Sequence, residues 1–203
     1  MSSVLSRRSN QPEEQRGRTR RAILDATGRL LADDRAFAEL SVGEISVQAG
    51  VSRPTFYAYF ADKRALILSL AAEFEQDARA AAKPWLADES DDLRGTLEAV
   101  LAAFTAHSST VGAVVEAATY DDAVAEFWRG FHEWFVLNAA RRAMAADATL
   151  SAQAAEALAY SLVWMTERCF TEHLSAPRLD TTTLLGALER LWHTVVPVPR
   201  TTA

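Results

Sequence analysis

Residues 41–63 read Ser-Val-Gly-Glu-Ile-Ser-Val-Gln-Ala-Gly-Val-Ser-Arg-Pro-Thr-Phe-Tyr-Ala-Tyr-Phe-Ala-Asp-Lys, and this stretch leaves the backbone few choices. Ser41 is followed three residues later by Glu44. That is the spacing of a capping box, in which the serine oxygen takes a backbone N–H and the glutamate reaches back to the cap. Ile45 and Ala49 then fall on the inward side of a short helix. Gly50 follows as the residue able to take a left-handed conformation at the helix end. Val51 plugs between this helix and the next. Ser52 caps the second helix, and Pro54 in its first turn forfeits no needed hydrogen bond. Phe56 and Phe60 lie four apart and share the inward face. Two capped helices around a tight turn make a helix-turn-helix, whose second helix fits the major groove of DNA.

The outward side of that second helix shows Arg53, Pro54, Thr55, Tyr57 and Tyr59. Tyrosine hydroxyls donate to phosphate, threonine and proline pack on a thymine methyl, and arginine reads a guanine edge or holds a phosphate. The competing reading for Tyr57 and Tyr59 is core packing. Asp62 caps a following helix and places Lys63 at its positive end, a site that favours an anion. Ser41 and Ser52 complete the candidate contacts of this region. Ahead of it, Ile23, Ala26, Leu30 and Leu31 recur near helical spacing and predict a helix from about residue 17. Arg16, Arg18, Arg20 and Arg21 crowd its start, where the helix dipole disfavours cations. Such a cluster can lie on phosphates or reach into a minor groove, or be a solvated helix start.

Net charge is −6, but it divides unevenly. Residues 1–70 carry 11 basic and 8 acidic side chains; residues 71–203 carry 10 and 19. Positive charge therefore gathers where the motif sits.

Residues 49–63, from Ala49-Gly50-Val51-Ser52 through Thr55-Phe56-Tyr57 and Tyr59-Phe60 to Asp62-Lys63, resemble the signature of the TetR family of bacterial repressors. The likeness covers about residues 20–70 and lies nearest the subgroup of the mycobacterial ethionamide-activation repressor. Two positions depart from the pattern: Ser46 where alanine is usual, and Arg64 where an acidic residue often follows the lysine. The resemblance implies a dimer that binds double-stranded operator DNA. It also implies a small effector held between C-terminal helices, and a four-helix bundle of the last two helices and their partners.

The rest of the chain reads as all-α, with about nine helices in total. Only eight Gly and six Pro occur in 203 residues, and no strand-like alternation of useful length exists. Helices are expected at about 65–82, stopped by Pro84, and at about 91–108, 110–118, 121–146, 151–174 and 180–195. Residues 1–16 are polar, lack periodicity and are expected to be a disordered arm. A DNA-binding domain is expected over 17–64, and a ligand-binding and dimerisation domain over 65–203.

No catalytic constellation is present, and neither metal nor cofactor is assigned. His107, His132, His173 and His193 lack metal-ligand spacing, and there is no Gly-rich phosphate loop and no Gly-x-Ser-x-Gly. The single Cys169 cannot form an intrachain disulfide. No apolar run reaches the roughly 18 residues of a membrane span. Arg7-Arg8 lacks the apolar segment of an export signal, so the chain is expected in the cytoplasm. Aromatic residues concentrate in the C-terminal helices. Phe104, Trp128, Phe131, Trp134, Phe135 and Trp192 are candidates to line an apolar ligand cavity, with Thr166 and Glu167 as its polar contacts. The alternative for each is plain core. Absence of a charge cluster suggests a neutral or weakly polar, hydrophobic ligand. Leu158, Leu162, Leu184, Leu188 and Leu191 are the candidate dimer contacts, because the last two helices are apolar over more than one face. The rival to a repressor is an all-helical enzyme or small-molecule carrier with a vestigial motif.

Overall fold

The computed structural model describes residues 4–33 and 35–196, with side chains from Glu13 onward. Among them are nine α-helices and no strand: α1 (Val4–Ala32), α2 (Val42–Gln48), α3 (Arg53–Tyr59), α4 (Lys63–Leu86), α5 (Leu93–Ala106), α6 (Ser108–Ala117), α7 (Asp122–Ala146), α8 (Ala152–Ser175) and α9 (Thr181–Trp192). A single 3-10 turn, Phe37–Glu39, joins α1 to α2. The chain divides into two compact units, Met1–Leu70 and Ala71–Ala203, so the division falls within α4.

The first unit closes around Ile23, Leu24, Phe37, Leu40, Ile45, Phe56, Phe60 and Leu66, all buried. Its helix ends follow the local signals. Ser41 and Glu44 form a reciprocal capping box. Gly50 has φ +67°, with its N–H on Val47 O (3.1 Å) and that of Val51 on Ser46 O (2.9 Å), a Schellman ending. Ser46 is small enough for the core: it is buried, and its hydroxyl donates to Val42 O at 2.7 Å. The arm expected to be disordered differs. It is helical from Val4, and residues 1–3 lie outside the described residues. Extending a helix that already exists costs far less than nucleating one, and Glu13, Glu14, Gln15 and Arg16 are good helix formers.

In the second unit, α7 and α8 pack along their length, and α9 lies against α5 and α8. Pro84 does not stop α4, which runs on to Leu86. Proline removes one amide donor so near the helix end, and its φ still suits a helix. The true stop is a second Schellman ending. Asp88 takes φ +62°, its N–H bonds to Trp85 O (3.1 Å), and that of Glu89 bonds to Pro84 O (2.9 Å). Arg142 of α7 secures this corner. It is buried, donates to Trp85 O, and pairs with Asp88 (2.8 Å) and Asp91 (3.1 Å).

Candidate nucleic-acid interface and ligand cavity

The two short helices of the first unit present a polar outer face. Arg53, Pro54 and Tyr57 are exposed on α3, and Tyr57 meets the edge of Phe56 at 5.5 Å. The Phe56 contact orients the Tyr57 ring without using its hydroxyl. Tyr59 is half-buried. Ser52 Oγ accepts the Thr55 N–H (3.1 Å) and shares a hydrogen bond with Thr55 Oγ1 (2.7 Å). Both hydroxyls thus serve the helix start, and each retains a lone pair or its O–H for a further contact. Ser41 is likewise an exposed cap. Its N–H and hydroxyl both donate to Glu44 (2.9 and 2.8 Å), and Arg35 donates to the other carboxylate oxygen at 2.8 Å. The bonds from Ser41, then that from Arg35, hold the Glu44 carboxyl down at about 2.

Lys63 is placed otherwise than its position at a helix start suggests. Its ammonium donates to the carbonyls of Phe37 (2.7 Å) and Ala38 (3.1 Å) and stands 4.7 Å from the Phe37 ring centre. It is committed inside the unit, so it is corrected here from a DNA contact to a tether of the 3-10 turn. Arg18 and Arg20 are exposed on α1, Arg18 beside Glu14 (3.9 Å) and Arg20 over the Phe60 ring at 5.6 Å. Sequence reasoning missed Val47, which is 81% exposed on α2. Its position two residues from inward Ile45 and Ala49 was the signal.

The second unit contains a narrow, almost wholly apolar cavity of about 70 Å³. Of the candidate ligand contacts, Phe104, Phe131, Phe135, Thr166, Glu167 and Trp192 line it together, alongside Trp85, Val163 and Phe170. Trp192 Nε1 donates to Thr166 Oγ1 at 3.0 Å, so that hydroxyl is already engaged. Trp128 and Trp134 are not on its walls. Trp128 stacks on Phe131 (5.0 Å, 4° between planes) and lines a wider groove of about 570 Å³ with Tyr160 and Trp164. Trp134 lies under the Arg79 guanidinium at 5.0 Å. By spacing, Trp128 shares a face of α7 with Phe131 and Phe135, but its ring is taken up by the stack on Phe131 and by the wider groove, as that of Trp134 is by Arg79. His132 lines both spaces and was passed over in the sequence for lack of metal spacing. Its place four residues from both Trp128 and Val136, on an inward stripe, was the available sign. The cavity holds a few water-sized spheres, so a drug-sized ligand has to part its walls.

The five leucines of the expected dimer contact separate. Leu162, Leu184 and Leu188 are buried within the single chain and belong to its own core, a correction to their assignment. Leu158 on α8 and Leu191 on α9 stay exposed, at 41% and 43%. Amphipathic breadth shows that a helix is apolar on several faces but not which face its own chain covers. Among the described residues no cluster of His, Cys, Asp or Glu is placed to hold a metal ion, and no single helix is long and apolar enough to cross a membrane. Burial raises the Cys169 thiol above its ordinary range, which disfavours the thiolate.

Comparison with known proteins gives a consistent picture. Residues 23–70 match the model described as bacterial regulatory proteins, tetR family. Residues 93–196 match the C-terminal domain of the transcriptional regulator EthR. The HTH-type transcriptional regulator EthR of Mycolicibacterium smegmatis is 33% identical over 198 residues, covering 92% of this chain and 88% of that one. Its namesake in Mycobacterium tuberculosis is 30% identical over 193 residues, covering 89% and 88%. Among solved structures, Salmonella enterica GusR superposes with a TM-score of 0.69 at 20% identity, over 88% of this chain and 95% of that one.

Proposed function

The chain belongs to the TetR family of bacterial transcriptional regulators, and from that premise we propose that it is a cytoplasmic, homodimeric repressor. It reads a palindromic operator in double-stranded DNA with α3 and lets go when a small hydrophobic effector occupies the cavity of the second unit. It is a regulator and not an enzyme. The observation that carries the reading is the capped turn that holds Arg53, Pro54 and Tyr57 outward on α3. A carrier with a vestigial motif has no use for that exposed set. Residues 17–64 serve as the DNA-binding domain and 65–203 as the effector and dimer domain.

A two-fold dimer matches a palindrome, each α3 taking one half-site. Leu158 and Leu191 supply the exposed apolar surface for it. Sedimentation should give a dimer at micromolar concentration, and Leu158→Glu with Leu191→Glu should give folded monomers that melt below the parent, because they lose the stabilisation that association supplies. A monomeric parent refutes the dimer.

The whole reading is tested by gel shift on DNA taken from upstream of the chain's own gene, with and without apolar compounds that quench tryptophan emission. All five Trp lie beyond Leu70, so that emission reports on the second unit alone. A compound that quenches should weaken DNA binding by the same factor by which DNA weakens its own binding. Quenching with no loss of DNA affinity leaves a binding cavity without a switch.

A further inference from the structure

One polar feature of the cavity stands apart from its aromatic walls. His132 is 1% exposed, and its Nδ1 lies 2.7 Å from the carbonyl oxygen of Trp128. A carbonyl only accepts, so Nδ1 carries a proton and donates it. The chemically open nitrogen is Nε2. It is buried and has no hydrogen-bond partner. Glu167 of α8 brings Oε2 to 3.6 Å from it, too long for a hydrogen bond, and the Glu167 side chain is itself only 10% exposed. Both residues line the cavity. The imidazole cannot swing to another partner easily. It stacks on Trp164 at 3.8 Å with 2° between planes, and meets Trp128 and Phe131 edge-on at 5.0 and 5.4 Å.

We propose that His132 and Glu167 recognise the head group of the effector, and that this head is a neutral carboxamide on an apolar body. The inference rests on the cavity being the effector site. With a proton on Nε2, the head must accept from His132 and donate to Glu167. Without that proton, it must donate to both. A primary carboxamide has two N–H donors and a carbonyl acceptor and so serves either case. An ammonium head brings a charge past an apolar lining, and a carboxylate head faces Glu167; both carry a desolvation cost that a neutral head avoids. The apolar body lies along Phe104, Phe170 and Trp192. The neutral or weakly polar ligand expected from the sequence is thereby narrowed to one whose polarity is confined to one end.

The test is a binding series with one eight-carbon tail and four heads: octanamide, N,N-dimethyloctanamide, octylamine and octanoate. Tryptophan quenching and thermal shift are the readouts, on the full chain. Octanamide should bind about tenfold or more tightly than the other three, because a site built to bond an N–H rejects an analogue lacking it. In Glu167→Leu, and separately in His132→Phe, the preference over the dimethyl amide should shrink to about threefold or less. Should either variant fold poorly, the series on the parent still decides. Equal binding of all four heads, with release from DNA intact, overturns the head-group assignment and leaves the effector cavity standing. Binding by none of them overturns the cavity reading and the assignment with it. Tighter binding of a charged head, or a preference that survives both substitutions, also overturns the assignment.

Discussion

The two units differ in how completely their interiors are satisfied. In the first, Ile23, Ala26, Ile45, Phe56 and Leu66 are fully buried. Its buried hydroxyls, Thr27 and Ser46, each bond back to a carbonyl of their own helix, at 2.8 and 2.7 Å. In the second, the core surrounds a cavity. Among the described residues, the buried side-chain nitrogens without a partner, Arg79 Nε, His132 Nε2 and Arg142 Nε, all belong to this unit. A face that reads DNA has to hold its side chains in one geometry, and dense packing with paired polar groups does that. A site for a small molecule instead needs contacts and hydrogen bonds left unmade, so that a ligand can supply them.

The sharpest way to break this comparison is Phe56→Ala. Removing a fully buried phenyl ring should destabilise the first unit by about 3–5 kcal/mol, a large share of a typical domain's stability. Helical circular dichroism and DNA binding should fall while tryptophan emission changes little. Loss of both signals together would make the two units one cooperative body.

Lys63→Ala comes next, because its ammonium serves the interior of the first unit. It should cost about 2 kcal/mol in urea unfolding, the range for hydrogen bonds to a charged group. The salt dependence of DNA binding should keep its slope, whereas Arg53→Ala should flatten it by about one unit. A flattened slope for Lys63→Ala would return that residue to the DNA face.

Filling substitutions should have opposite signs in the two units. Val163→Leu grows into the cavity and should add about 0.5–1 kcal/mol of stability. Ala26→Leu enters a closed core and should remove about 1–3 kcal/mol. Differential scanning calorimetry of both variants checks the pair, and equal destabilisation would deny the difference in packing.

The smallest effect is acid sensitivity at the α2 cap. The Glu44 carboxyl sits at about 2 in the folded chain against an ordinary 4.5. Its contribution is therefore present above about pH 4.5 and is lost as pH falls through 2. Glu44→Gln should lower stability at neutral pH and flatten its decline over that window. An unchanged profile would mean that the cap carboxylate contributes nothing to folding.

What was legible in the sequence was local. Ser41 with Glu44, Gly50, Ser52 and Asp62 act within three or four residues of themselves, and each stands at the helix end its type implies; Asp62, for instance, accepts the Ala65 N–H at 2.8 Å. Lys63 misled because its partners, Phe37 and Ala38, lie about 25 residues away. Arg142 and the His132–Glu167 approach went unread for the same reason: each joins elements that only the tertiary fold brings together. Pro84 misled differently, since the stop signal was Asp88, an aspartate in a conformation usually left to glycine.

The most direct test of the DNA-reading face is an anisotropy titration of a labelled duplex from the chain's own upstream region, against a scrambled duplex of equal length. The parent should prefer the upstream duplex strongly. Arg53→Ala with Tyr57→Phe should lose about tenfold or more of that affinity, about 1–2 kcal/mol for each contact, with no change in melting temperature. Equal affinity for the two duplexes, or a double variant that binds as the parent does, would contradict it.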